Sequence, residues 1–356
     1  MSYDKNRTHR AENVAPSMLH SLRFGLLAVS LVLFPLVANA APGPYYKGKS
    51  ITFVIGSAVG GGYDTYSRLV ATHIGQHLDG RPTIIAQNMP GAGSIRAANY
   101  LYNAARKDGT AIGMLDQAIY LYQILGTPEL RADATKFNWI GRILRNSAVL
   151  FARSGAPVQK IDDVFSKELI VSTTGVASKL NWTVLKNVLG MKFTLIQGYQ
   201  GTGDAMLAMQ RGEVDALSIE WPVLRVTGAP LIRDHKINLL LQTGMENDGD
   251  LAPVPRMIDL ARNDEERKLL ELFSSPSLIG RSVVAPPGTP PARVAELRRA
   301  FIATMQDPGF LADVKRAGLT ISPMAGEELQ AAVVKTGDFP RPLIDRARRV
   351  AEITTN

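Results

Sequence analysis

The chain has 356 residues, 46% of them apolar, a formal charge of +8 and no cysteine. Without thiols there are no disulfides, no thiol catalysis, no cysteine-ligated metal and no lipid attachment through cysteine, so a buried core must hold the fold. The basic residues are dispersed without an aromatic stripe or reader motif, which sets nucleic acid aside as a partner and leaves a modest positive field suited to small anions.

Residues 1–40 carry Lys5, Arg7, Arg10 and Arg23, an apolar run from Phe24 to Val37, and the triplet Ala38-Asn39-Ala40. That order predicts a secretory signal peptide, cleaved near Ala40, and a periplasmic mature chain beginning near Ala41. The run is interrupted by Pro35 and is shorter than the roughly 18 apolar residues of a membrane span. A retained anchor is the competing reading. Losing four basic and two acidic residues takes the charge from +8 to +6.

Ile51–Ile55 reads as a strand ending at Gly56, and apolar residues then recur at helical spacing from Tyr63 to Leu78. The unit repeats, with a strand at Thr83–Ala86, a loop at Pro90–Gly93, a helix at Ser94–Ala105 and a strand at Ala111–Leu115. A second series has strands at Leu169–Ser172, Phe193–Ile196 and Val214–Leu217, with helices at Leu180–Leu189 and Asp204–Arg211 between them. Extended segments at Ala148–Arg153 and Ile237–Gln242 flank this series and are candidate interdomain crossings. A helix near Glu265–Phe273, a strand near Ser282–Ala285, a proline-rich breaker and a helix at Arg293–Met305 complete the chain. Strands alternating with helices predict an α/β fold with parallel sheets. The expected limits are 41–147 plus 243–356 for one lobe and 148–242 for the other.

Three glycine loops each join a strand to a helix: Gly56–Asp64, Asn88–Ser94 and Gly198–Asp204. Glycine lets a ligand approach the main chain, and the free N–H groups and positive end of the following helix attract an anion. In open α/β sheets such loops line the ligand crevice. The first loop lacks the Lys-Ser/Thr ending of a P-loop and the spacing of a dinucleotide fingerprint. Taken alone, each loop also reads as a tight turn. Asp64 and Asp204 each read either as a helix-start group bound to backbone or as a ligand contact.

The ordered set Gly60-Gly61-Gly62-Tyr63-Asp64-Thr65-Tyr66-Ser67-Arg68-Leu69, Asn88-Met89-Pro90-Gly91-Ala92-Gly93-Ser94, Lys107-Asp108-Gly109-Thr110 and Gly198-Tyr199-Gln200-Gly201 resembles the extracytoplasmic receptors of tripartite tricarboxylate transporters, the Bug family. The likeness continues to the Pro-Pro-Gly-Thr-Pro segment before the late helix. It implies a bilobal periplasmic-binding fold, type II-like, with two α/β domains joined by two crossing segments and a small organic acid between the lobes. It further implies membrane permease subunits as partners, no cofactor, and a monomeric receptor. By motif, the ligand contacts would come from Ser57, Ala58, Gly60, Gly61, Gly62 and Asp64, from Gly91, Ala92 and Gly93, and from Tyr199, Gly201, Thr202 and Asp204. Thr174, Gly175 and Ser178 match a fourth contributor. The chain departs from the commoner wording at Ala58-Val59-Gly60-Gly61-Gly62, at Ser94 where a glycine is usual, and at Gln200 where a lysine is usual. Loss of that lysine weighs against a tricarboxylate.

Enzymatic readings find little support. No Gly-x-Ser-x-Gly elbow is present. His73 and His77 share a helix face at metal-ligand spacing, but no third ligand is evident. Glu213, Asp215 and Glu220 read as helix exit, strand solubility and pocket rim, and the arginines Arg341, Arg346, Arg348 and Arg349 as a solvated helix face. The alternative to transport is a periplasmic sensor using the same cleft.

Overall fold

The structure, a computed structural model, describes residues 44–173, 176–199, 201–247, 249–336 and 339–353. The signal segment with its cleavage site, Thr174, Gly175 and Gln200 lie outside the described residues.

The first sheet begins with β1 (Ser50–Ile55), β2 (Thr83–Asn88) and β3 (Ala111–Met114), with β1 parallel to both neighbours. Ile51, Phe53, Val54 and Ile55 are all fully buried, the apolar run of a parallel strand covered on both faces. Between these strands run α1 (Gly62–Ile74) and α2 (Ile95–Asn103), and α3 (Ile119–Ile124) follows β3. In α1 the buried Tyr63, Tyr66, Val70 and Ile74 form one helical stripe against the sheet. β4 (Asn138–Leu144) then enters the same sheet.

The second sheet contains β5 (Ala148–Arg153), β6 (Leu169–Ser172), β7 (Phe193–Ile196), β8 (Ala216–Glu220) and β9 (Ile237–Gln242), in the order β7-β6-β8-β5-β9. β6 is parallel to β7 and β8, while β5 is antiparallel to β8 and β9. Its helices are α4 (Val176–Leu189), α5 (Thr202–Arg211), α6 (Trp221–Thr227) and α7 (Ala229–Arg233). The two segments expected as crossings are thus strands of this sheet. β5 lies inside it, with Val149, Leu150, Phe151 and Ala152 all buried. The outward passage, 145–147 from β4 to β5, is short, whereas the return runs through residues 243–280 before the chain re-enters the first sheet, and starts where the Thr243 N–H donates to the Ala148 carbonyl at 2.9 Å.

The returning chain forms α8 (Asp264–Ser274), α9 (Pro276–Ile279), β10 (Arg281–Ala285), α10 (Pro291–Gln306), α11 (Pro308–Arg316), β11 (Met324–Ala325), α12 (Gly326–Thr336) and α13 (Arg341–Val350). β10 inserts antiparallel between β3 and β4, giving the order β11-β4-β10-β3-β1-β2. α8 and α13 instead pack on α4, where Leu269, Leu270, Phe273, Leu343 and Ala347 share a core with Trp182 and Leu185. Part of the arginine face is therefore a contact: Arg346 pairs with Glu265 of α8, and Arg348 Nε donates to the Leu125 carbonyl beyond α3 at 2.9 Å.

Candidate functional site

Because β1, β2 and β3 run parallel, their carboxyl ends deliver three loops to one side of the first sheet. In the first, Gly60 has φ of +85°, a backbone that favours glycine. Its N–H donates to Asp64 Oδ2 at 2.9 Å, while Asp64 Oδ1 accepts from Arg68 Nε at 2.9 Å and from Asn88 Nδ2 at 2.8 Å. Asn88 Nδ2 also donates to the Ser57 carbonyl at 3.0 Å, which stitches the first loop to the end of β2. Burial alone would push the Asp64 carboxyl up, but bonds from Arg68, the Gly60 N–H and Asn88 outweigh it and hold the carboxyl below its ordinary value. Both oxygens of Asp64 are committed to shaping the loop. Ser57 is half-buried, and Ala58, Gly60 and Gly61 are exposed.

The second loop is a left-handed turn. Gly91, Ala92, Gly93 and Ser94 have φ of +138°, +46°, +59° and +70°. For Ala92 and Ser94 this conformation costs on the order of 1 kcal/mol each. Ser94 is buried, and its hydroxyl donates to the Gly56 carbonyl at 2.8 Å and accepts from the Asp116 N–H at 3.0 Å. A Cβ on Gly56 would fall 2.3 Å from that hydroxyl, so a serine at 94 and a glycine at 56 require each other.

The third loop follows β3. The Asp116 carboxylate accepts from the Ala118 N–H at 2.8 Å, and the Gln117 N–H donates to the Tyr63 hydroxyl oxygen at 3.0 Å. Asp116 is half-buried. Burial, with the nearby Glu220 carboxylate, pushes its pKa up to about 6 against the pull of the Ala118 N–H and the Arg281 cation. Glu220 stands at the carboxyl end of β8 in the second sheet, so the two lobes meet electrostatically here. They also meet sterically, since a Cβ on Gly62 would lie 3.1 Å from a methyl of Val223 in α6.

From the second sheet come Ser178, half-buried in the first turn of α4, and Tyr199, whose ring packs on the Met206 and Trp221 core. Gly201 and Thr202 open α5, with open space where a Gly201 Cβ would stand. Asp204 is exposed in the first turn of α5, where Gly201 is the N-cap and no side chain caps. Its expected capping bond is not made. Its charge remains close to the helix start.

The arrangement has one chemical consequence. The N-caps of α1, α2 and α5 are Gly61, Ser94 and Gly201, none with a side-chain capping bond, so backbone N–H groups at these helix starts can meet an anion, except that of Ile95 in α2, which donates to the Ala92 carbonyl. Asn88, Asp116 and Arg281 belong to the site without having been expected there. Asp116 is signalled only by its place two residues after a strand. One surface hollow lies near Asn99 and Arg131, and another, of about 430 Å³, lies beside Ala92 and Ile95 of the second loop and Lys179 and Thr183 of α4. His73 bonds to Asp313 at 2.9 Å, and His77 lies 3.4 Å from Asp307. Among the described residues no group of three or more His, Cys, Asp or Glu is placed to hold a metal.

The sequence profile of the Tripartite tricarboxylate transporter family receptor matches residues 67–345. A Cupriavidus necator protein, described as the UPF0065 protein in the gbd 5′ region, is 26% identical over 292 residues, covering 80% of this chain and 82% of that one. Two solved structures from Rhodopseudomonas palustris share the fold. One, with adipate, is 20% identical with a TM-score of 0.63, covering 85% of this chain and 96% of that one. The other, MatC with bound malate, is 23% identical with a TM-score of 0.57, covering 85% and 99%.

Proposed function

This chain belongs to the tripartite tricarboxylate transporter receptor family, and from that premise we propose that its loop cradle captures a small mono- or dicarboxylate between the lobes. Membership makes the protein a substrate-binding receptor working with a tripartite transporter on the periplasmic side of the membrane, not an enzyme. The observation that carries the ligand reading is the set of uncapped starts of α1, α2 and α5 beside the loop glycines. The structural neighbours with adipate and with bound malate support the same ligand class.

The contacts we assign are main-chain groups of Ser57, Ala58, Gly60–Gly62, Gly91–Gly93, Gly175 and Gly201, with side chains of Thr174, Ser178, Tyr199 and Thr202. Asp64 shapes the first loop and Asp204 sets charge at the rim. The signal peptide is removed near Ala40, the mature receptor is a monomer, and the lobes divide at 41–147 with 243–356 against 148–242, except that α8 and α13 pack with the second lobe on α4. Membrane permease subunits receive the solute.

A thermal-shift screen of residues 41–356 against mono- and dicarboxylates, aromatic acids and amino acids tests this. An acid at 100 times its dissociation constant stabilises by about 2.7 kcal/mol, a rise of several degrees. A flat response to every anion would sink the reading.

A further inference from the structure

Arg281 opens β10 and is 1% exposed. Its Nε and Nη1 have no hydrogen-bond partner among the described residues. Two rings flank it, with the guanidinium carbon 4.3 Å from the centre of Tyr63 and 5.2 Å from that of Tyr66. The backbone places it there: Gly280 has φ of +54°, and a Cβ at that position would stand 2.1 Å from the Leu144 carbonyl oxygen. Burying an unpaired cation is strongly unfavourable, and an apolar residue of similar volume is often the more stable choice. Stacking on two tyrosine faces offsets only part of that cost.

The guanidinium also reaches the cradle. A Cβ on Gly62 would lie 2.5 Å from Arg281 Nη2, so the cation touches the first residue of α1, beside the uncapped helix start. Its field is felt by Tyr63 and Asp116, both of which it pulls down in pKa. Across the cleft stands Val223 of the second lobe. A carboxylate entering between Val223 and Gly62 would meet the planar fork of Arg281 and the first N–H groups of α1 together, a geometry that suits two parallel charge-assisted bonds.

We propose that Arg281 is a specificity-determining ligand contact, forming with the start of α1 a subsite for one carboxylate of the solute. This rests on the receptor reading above and names the side chain that gives the cleft its preference for acids. It supplies the cation that Gln200 does not. Separation of the lobes withdraws Val223 and opens the subsite, and closure buries the ion pair.

The test is calorimetric titration of the mature chain, Arg281→Met and Arg281→Lys with malate and with adipate, alongside melting of each protein without ligand. The expected result is binding of at least one acid by the unaltered chain, at least about tenfold weaker in Arg281→Met, with a ligand-free melting temperature unchanged or raised. Arg281→Lys, which keeps charge and loses the fork, should fall between the two. Equal affinities in the unaltered chain and Arg281→Met would overturn the subsite and leave the receptor reading standing. Should Arg281→Met fail to fold, unchanged affinity in Arg281→Lys would overturn it equally. Binding of neither acid by the unaltered chain would remove the small-dicarboxylate reading of the cradle and the subsite together.

Discussion

Just beyond the carboxyl end of β3, near Glu220 of the second sheet, Asp116 stores a cost. Its carboxyl has an ordinary pKa of 3.8 and a folded value of about 6, raised by burial and by Glu220. Below about pH 4 both states hold the proton; between about 4 and 6 the unfolded chain releases it first, so the native state loses stability across that window, and the deficit is constant above it. Asp116→Asn keeps the acceptor for the Ala118 N–H and removes the charge. It should therefore stabilise the protein by on the order of 2 kcal/mol at pH 7.5, with almost no gain at pH 4. Urea unfolding at the two pH values measures this, and an equal gain at both would show the charge to be irrelevant. The glycine loops were legible in sequence because chain geometry demands glycine there, as at Gly60. The charges around Asp116 were not. Asp116, Glu220 and Arg281 are separated by 61 to 165 positions along the chain, and only the packed sheets bring them together.

At the scale of elements, the proposed cradle rests on three helix starts, and Gly61 tests the first of them. Its φ of −81° suits any residue, and the nearest atom to a Cβ there is the Ala58 carbonyl oxygen at 3.9 Å. Valine is accommodated without strain, but its branches occupy the approach to the α1 N–H groups. Gly61→Val should melt within a few degrees of the unaltered chain and bind carboxylates weaker by roughly two orders of magnitude, the cost of two or three lost hydrogen bonds. Unchanged affinity by calorimetry would reduce the loop to a turn. Strands β1, β2, β3, β6 and β7 were readable because apolar, β-branched runs end at loop residues. β4 was hidden by Gly141 and Arg142 in mid-strand. Both have tertiary reasons, since a Cβ on Gly141 would strike the Phe301 ring at 2.3 Å and Arg142 Nη1 donates to the Leu278 carbonyl at 2.6 Å. Ser94 departs from the usual glycine at its position, yet its hydroxyl joins the ends of β1 and β3 and offsets the left-handed backbone it occupies.

Across the whole molecule, two sheets are joined by a short passage, 145–147, and by a long return, 243–280, held side by side where Thr243 pairs with Ala148. The sequence shows two strand series and so two lobes. It does not show that α8 and α13 would leave the returning chain to pack on α4, because amphipathic helices carry no label for the partner they cover. The proposed capture of an acid between the strand ends of the two sheets requires the lobes to close on it, with residues 145–147 the short passage about which they would turn. The central claim, that a small carboxylate is held between the lobes, is tested most directly by small-angle scattering of the mature chain with and without a saturating acid identified in the thermal screen. A smaller radius of gyration on adding the acid, reversed when it is dialysed away, is the predicted result. An unchanged radius at saturation would contradict capture by closure of the cleft.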